Sequence, residues 1–207
     1  MKSYSQALKI LKKGKINIGD EYIDSEKSLN RVSSENVYSN SNHPSANNSS
    51  LDGFAIKSND TKNLNRKNKK LFEIIKTVAA GDRPTNKKNK NFQTIEIMTG
   101  TVLPKKFDAI IPIEEINFFP NKTFPKYIIV DKKIKKNQHI RFKGSDFRKN
   151  DLIIKRGTIL QPNHILAFKA LGIKSIKVKK KPNILFFSSG NEISNKENIP
   201  TWKVRNS

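Results

Sequence analysis

The period of the apolar residues changes more than once along the chain. Near the start, Ser3-Tyr-Ser-Gln6 has the Ser-x-x-Gln form of a capping box, and Ala7, Leu8, Ile10 and Leu11 follow at helical spacing. This predicts an amphipathic helix that stops at Gly14. A second helix is expected from Asp24, a good N-cap residue, with Leu29 and Val32 turned inward and an end before Tyr38. Residues 39–50 are rich in Ser and Asn, with His and Pro, and read as an extended linker that buries little.

From Leu51 the runs become short and β-branched. Phe54–Ile56, Leu71–Val78, Thr94–Met98, Ala109–Ile113 and Tyr127–Val130 are separated by turn residues, the pattern of a small antiparallel sheet or barrel. Pro112 belongs at a strand edge or bulge, because it lacks the N–H that a central strand must donate. Beyond residue 139 the pattern mixes. Asp151–Leu160 reads as a hairpin turning at Arg156-Gly157. Pro162 suits the first turn of a helix whose apolar stripe is Ile165, Leu166, Phe168 and Leu171, with Gly172 as the left-handed stop. Ile173–Val178 is a short strand, and Pro182–Ser189 is a buried-type strand of the kind that opens an α/β sheet. The residues after Glu192 carry no core pattern. One buried strand without following βαβ units is not a domain. The chain therefore reads as stopping just inside a further domain, with apolar surface at Ile184–Phe187 left exposed.

Composition narrows the function classes. The 207 residues suit one large or two small domains, and the absence of Cys excludes disulfides, Cys-based metal sites and a thiol nucleophile. No apolar run approaches the roughly 20 residues of a membrane helix, and the N-terminus lacks a signal-peptide apolar region. A soluble, cytoplasmic protein is expected. The net charge of +23 raises nucleic acid as a partner. Yet the Lys runs at 62–70, 87–90, 132–136 and 177–181 fall between apolar runs, Asn accompanies Lys throughout, and no aromatic residues interleave with them. This is a loop-wide Lys and Asn bias, and no specific nucleic-acid binding is expected from it.

Four short stations could carry chemistry. Asn48-Ser-Ser-Leu-Asp52-Gly53 is either a plain turn before a strand or a placed carboxylate. Met98-Thr99-Gly100-Thr101 is a strand exit whose hydroxyls and N–H groups could hold an oxyanion. In Arg141-Phe-Lys-Gly144-Ser-Asp146 the carboxylate could bind a hydroxyl or Mg²⁺, or Arg141 could be a surface ion-pair partner. Ser188-Ser189-Gly190-Asn191-Glu192 lies at the carboxyl end of the expected α/β strand, where such sheets place ligands. His43, His139 and His164 show no metal-ligand spacing, and His164 reads as a surface or cap residue.

The order of these stations carries more than any one of them. Leu29-Asn-Arg31-Val, Asn48–Ala55, Ala80-Gly81, Ile97–Gly100 with Asp108–Glu115, Arg141…Asp146, Ala170–Ile173 and Ser188–Glu192 form a series. It resembles the molybdopterin molybdenumtransferase family, which includes the gephyrin E domain, over nearly the whole chain. Asn30 stands where the family pattern has Gly, Leu51 and Phe54 flank the Asp-Gly in place of Met and Tyr, and Asn191 replaces an Asp.

The resemblance implies an α+β fold. An elongated N-terminal arm domain with helices and strands would span 1–45 and 139–180. A small β-barrel would be inserted at 46–138, and 181–207 would begin a molybdopterin-binding α/β domain that continues further in the family. It also implies a reaction: molybdate is inserted into adenylylated molybdopterin, with Mg²⁺ as cofactor and release of AMP, in a homodimer. Asp52, Thr99, Asp146 and Glu192 match the family's catalytic positions, and Asp52 and Glu192 would lie nearest the metal. Ser50, Gly53, Gly100, Arg141, Ser189 and Gly190 would contact substrate. A non-catalytic, dimerising remnant of the family is the alternative, and a basic nucleic-acid binder a distant one.

Overall fold

The computed structural model describes residues 3–14, 16–84, 90–185, 187–188 and 190–205. Its elements in chain order are α1 (Tyr4–Lys13), β1 (Asp20–Asp24), β2 (Val37–Tyr38), β3 (Asn48–Ser49), β4 (Gly53–Ile56), β5 (Lys70–Val78), β6 (Gln93–Ile97), β7 (Ala109–Pro112), β8 (Asn117–Phe119), β9 (Tyr127–Val130), β10 (Ile140–Arg141), β11 (Leu152–Ile154), α2 (Pro162–Leu171), β12 (Ser175–Lys179), β13 (Ile193–Ser194) and β14 (Val204–Arg205). No described helix is long and apolar enough to cross a membrane.

The capping box forms as the sequence predicts. Ser3 Oγ accepts the Gln6 N–H at 3.4 Å, and Gln6 Oε1 accepts the Ser3 N–H at 2.9 Å. The helix ends at Gly14, whose N–H closes on the Ile10 and Leu11 carbonyls. None of the α1 residues is buried, so local capping and not packing defines this helix.

All five predicted central runs become strands of one curled sheet, ordered β7-β4-β6-β5-β9-β8. Both faces of β4 are covered. Phe54 and Ile56 join Phe72, Ile111 and Ile128 in one core, while Ala55 joins Ile95, Ile97 and Ile110 in another. Pro112 ends β7, an edge strand, where its missing N–H costs no ladder bond. The sheet departs from all-antiparallel at one place: β5 and β6 are parallel. The connection over residues 79–92 is long enough to carry the chain back to the starting end.

A third core collects Val37, Ile154, Leu160, Phe168, Ile176 and Val178 beneath α2 and the antiparallel β1–β12 pair. Pro162 is at the first turn of α2 and Gly172 closes it at φ 68°, both as predicted. His164 is a cap residue, its Nδ1 accepting the Gln161 N–H at 3.1 Å. Leu166 departs from the expected stripe and is 70% exposed.

Two local expectations fail for one shared reason. The segment after Asp24 makes a single 3-10 turn, Ser25–Lys27, then a turn at Leu29-Asn30 with Asn30 at φ 62°, and only then runs extended. Leu29 is not turned inward and is largely exposed. The arms of the Arg156-Gly157 turn do not pair with each other. They pair with this extended segment instead: Ser33 N–H donates to the Thr158 carbonyl, Gly157 N–H to Ser33 and Leu160 N–H to Arg31, and β11 pairs with β2. Lys179 N–H bonds to the Val32 carbonyl from the other side. A helix over 24–38 would forfeit these interstrand bonds, so tertiary pairing overrides local propensity. The segment from Pro182 has no strand among its described residues before β13. Ile184, Leu185 and Phe187 are exposed, as expected for apolar residues without neighbouring strands to pair with.

Candidate functional site

Three of the four stations meet at the entrance of β4. The turn after β3 presents Asp52 at the surface, held from behind by the Ile113 N–H, which bonds to its carbonyl at 3.1 Å. Asp52 Oδ1 accepts two bonds from a residue 47 positions away, the Thr99 N–H at 2.6 Å and the Thr99 hydroxyl at 2.7 Å. Both stabilise the carboxylate form. The Thr99 N–H, and then its hydroxyl, hold the Asp52 carboxyl below the usual carboxylate range. Oδ2 has no hydrogen-bond partner among the described residues, and the residue is exposed.

The second station is set by β6 and the turn that follows it. Gly100 takes φ 81°, a conformation that favours glycine, and its N–H reaches the Ser49 carbonyl at 2.9 Å. Asn48 Nδ2 donates to the Gly100 carbonyl at 3.0 Å. Asn48 Oδ1 is buried without a partner among the described residues. The neighbouring turn Ala79–Asp82 is clasped by Asp82 Oδ2 on the Ala79 N–H at 2.9 Å, with Gly81 open at φ 91°. Thr99, Gly100 and Gly81 thus line one exposed rim.

The third station joins through β10. Arg141 stands opposite Asn48 in the β3–β10 register, and Ser50 N–H bonds to the His139 carbonyl. The Arg141 guanidinium is hydrogen-bonded to Asp146 Oδ2 as an ion pair, with His43 Nε2 at 3.9 Å from the same oxygen. Asp146 N–H is tied to the His43 carbonyl at 3.0 Å. Asp52, Thr99, Gly100, Ser50, Arg141 and Asp146 are therefore linked through the β3–β10 pairing, the Gly100–Ser49 bond and the side-chain bonds of Asp52 and Asp146.

Gly53 occupies this place for a packing reason visible in the geometry: a Cβ there would lie 2.1 Å from the Ile111 carbonyl oxygen. The fourth station stands apart. Glu192 folds its carboxylate over Gly190, and its carbonyl accepts the Val204 N–H at 2.8 Å. No hydrogen bond among the described residues links it to Asp52, and Ser189 lies outside the described residues. No cluster of three or more metal-ligating side chains occurs among the described residues. A groove of about 610 Å³ borders the site, lined in part by Asn47, Val102, Leu103, Lys105 and Lys143. Sequence reasoning assigned no role to Asn48 or His43. Asn48 opens the station that contains Asp52, so its position there was the available signal; His43 had none.

The comparisons with known proteins agree with this fold. A family described as "MoeA N-terminal region (domain I and II)" matches residues 2–172. A molybdopterin molybdenumtransferase of Staphylococcus aureus (strain Mu50) is 29% identical over 183 residues, covering 88% of this chain and 42% of its own length. That of Staphylococcus epidermidis (strain RP62A) is 27% identical over 206 residues, covering 99% of this chain and 48% of its own. Two structures of the molybdopterin biosynthesis MoeA protein of Pyrococcus horikoshii superpose with TM-scores of 0.78 and 0.82 at 28% identity, covering 86% and 98% of this chain but 45% and 51% of theirs. The chain spans about half the length of these relatives. Asp52, Thr99, Arg141 and Asp146 all fall inside the matched residues, and the chain belongs to the MoeA N-terminal family.

Proposed function

We propose that this chain serves molybdenum cofactor biosynthesis, in the insertion of molybdate into adenylylated molybdopterin with release of AMP. The observation that carries the reading is the Asp52–Thr99 pair. It fixes a carboxylate with one open oxygen beside an exposed Thr-Gly turn. Such an arrangement suits a substrate that brings an oxyanion and a phosphate-bound cation together. Mg²⁺ prefers one or two carboxylates plus substrate phosphates and water, and Asp52 Oδ2 is a ligand of that kind. When bound, the cation would neutralise phosphate charge at the bond that breaks. Asp52 would orient that cation, Thr99 and Gly100 would border the anion, and Arg141, Lys105 and Lys143 would supply positive charge to phosphate. Glu192 and Gly190 would contribute only with a rearrangement of their segment. The family pattern further suggests a homodimer in the cytoplasm.

The alternative is a binding module of the same family that does not turn over. Incubation with adenylylated molybdopterin, molybdate and Mg²⁺ separates the two. Molybdate-dependent AMP release that is lost in Asp52→Asn supports insertion. Tight binding without AMP release, weakened in Asp52→Asn, supports the binding module. Binding or turnover indifferent to Asp52→Asn refutes both.

A further inference from the structure

Segments 57–70 and 131–136 carry ten Lys and Arg residues against two Asp. In the sequence they are two of several Lys-rich stretches, but the fold joins them. Ile134 N–H donates to the buried Thr61 Oγ1 at 3.0 Å, Leu64 and Ile134 enter the same core as Phe54, and Lys70 pairs with Val130 in the β5–β9 register. Between the segments lies a groove of about 610 Å³, whose walls include Ser58, Asn59, Lys62, Lys133, Lys135 and Lys136. It opens beyond Ile56, the end of β4 opposite Asp52.

Placement along one groove, not pairing alone, distinguishes these lysines from the general Lys bias. In the equally basic run at 177–181, Lys179 Nζ lies 2.6 Å and Lys177 Nζ 4.0 Å from Asp20, and Lys177 covers the Tyr22 ring. Lys132 is paired with Glu115. Lys62, Lys133, Lys135 and Lys136 have no ion-pair partner among the described residues. The carboxylate in the groove, Asp108, is directed to Ser58, accepting its N–H at 2.6 Å and its hydroxyl at 2.9 Å. Four lysines thus line one groove with a single carboxylate, Asp108, and the net positive charge they leave there favours an anion in the site.

The surroundings select the anion. Protein interfaces are anchored by aromatic, Met and Arg residues. No large hydrophobic side chain is exposed in either segment, and only Arg66 is an arginine. Lysine point charges beside Ser and Asn dipoles suit phosphate oxygens. No aromatic ring among the described residues lines the groove, so bases have nothing to stack on. We propose that this groove binds the phosphate backbone of duplex nucleic acid without sequence preference. This agrees with the expectation that the charge encodes no specific recognition, and it does not rest on the molybdenum reading.

The test is fluorescence anisotropy of a labelled random duplex of about 20 base pairs with the 207-residue chain. A groove variant carries Lys62→Gln, Lys133→Gln, Lys135→Gln and Lys136→Gln. A control carries Lys155→Gln, Lys180→Gln, Lys196→Gln and Lys203→Gln, with the same reduction in charge. At low salt the groove variant is expected to bind about tenfold or more weakly, and the control within about threefold of the parent. The log–log salt slope should shrink by about 0.9 for each phosphate that is no longer neutralised, so by roughly three to four in the groove variant only. Replacing the same four groove lysines by Arg should preserve binding, which separates an effect of charge from an effect of misfolding. Equal weakening in groove and control variants would overturn the proposal and leave net charge alone. Tighter, groove-dependent binding of poly-glutamate would also overturn it, assigning the groove to acidic protein.

Discussion

Gly53→Ala is the most informative single substitution at the site, because it separates packing from ligand contact at a residue beside Asp52. Gly53 starts β4 and is paired on both sides, with Ile97 of β6 and Pro112 of β7. An added Cβ would lie 2.1 Å from the Ile111 carbonyl oxygen, 3.0 Å from its carbon and 3.2 Å from Pro112 Cα. An ordinary carbon–oxygen contact is about 3.3 Å, so β7 must retreat by roughly an ångström. All three neighbours are backbone atoms and cannot rotate away. That retreat opens the packing around Ile110 and Ile111, which are 0% and 1% exposed. Overpacking of this kind costs about 1–3 kcal/mol, and the upper part of that range fits a clash with backbone. For a chain of this length the thermal midpoint should fall by about 4–10 °C. Thermal unfolding followed by circular dichroism reads it. A midpoint within about 1 °C of the parent, with adenylylated molybdopterin binding lost, would refute the packing argument and assign Gly53 to the ligand.

The remaining predictions concern the core and the carboxylate. Phe168→Ala should destabilise the chain by about 3–5 kcal/mol in urea unfolding, since Phe168 is fully buried on the core face of α2; a loss below about 1 kcal/mol would contradict the third core. The Asp52 carboxyl, followed by carbon NMR, should titrate below its ordinary value of 3.8. Its contribution to stability is then complete above 3.8 and lost as the pH falls through the lower folded value. Thr99→Val should raise the midpoint only partway, because the backbone N–H remains; a parent midpoint at or above 3.8 would contradict the hydrogen-bond geometry.

Elements defined by local chemistry were readable in the sequence. Ser3 and Gln6 announce α1, Pro162 and Gly172 bracket α2, and β-branched runs mark the central strands, because capping, φ preference and period-two burial act within a few residues. Elements defined by distant pairing were not. Residues 28–38 contain no signal that Thr158, Leu160 and Lys179 will take up their backbone groups. The parallel pairing of β5 with β6 likewise depends on how a long connection returns. At the site, residue types and order pointed to Asp52, Thr99, Arg141 and Asp146. Their joining through Asn48, which grips Gly100 and stands opposite Arg141, is a product of the fold. Asp20–Asp24 carries no strand signal in the sequence, because its apolar positions, Tyr22 and Ile23, are adjacent and do not alternate.

The central claim is that Asp52 and Thr99 act as one unit that receives substrate. A double-mutant cycle on adenylylated molybdopterin binding tests it, using the parent chain, Asp52→Ala, Thr99→Val and the pair. Each single variant should bind about tenfold or more weakly, and the double variant should bind no more weakly than the worse single, because either change dismantles the same unit. Parent-like binding in both single variants, or losses that multiply in the pair, would contradict the claim.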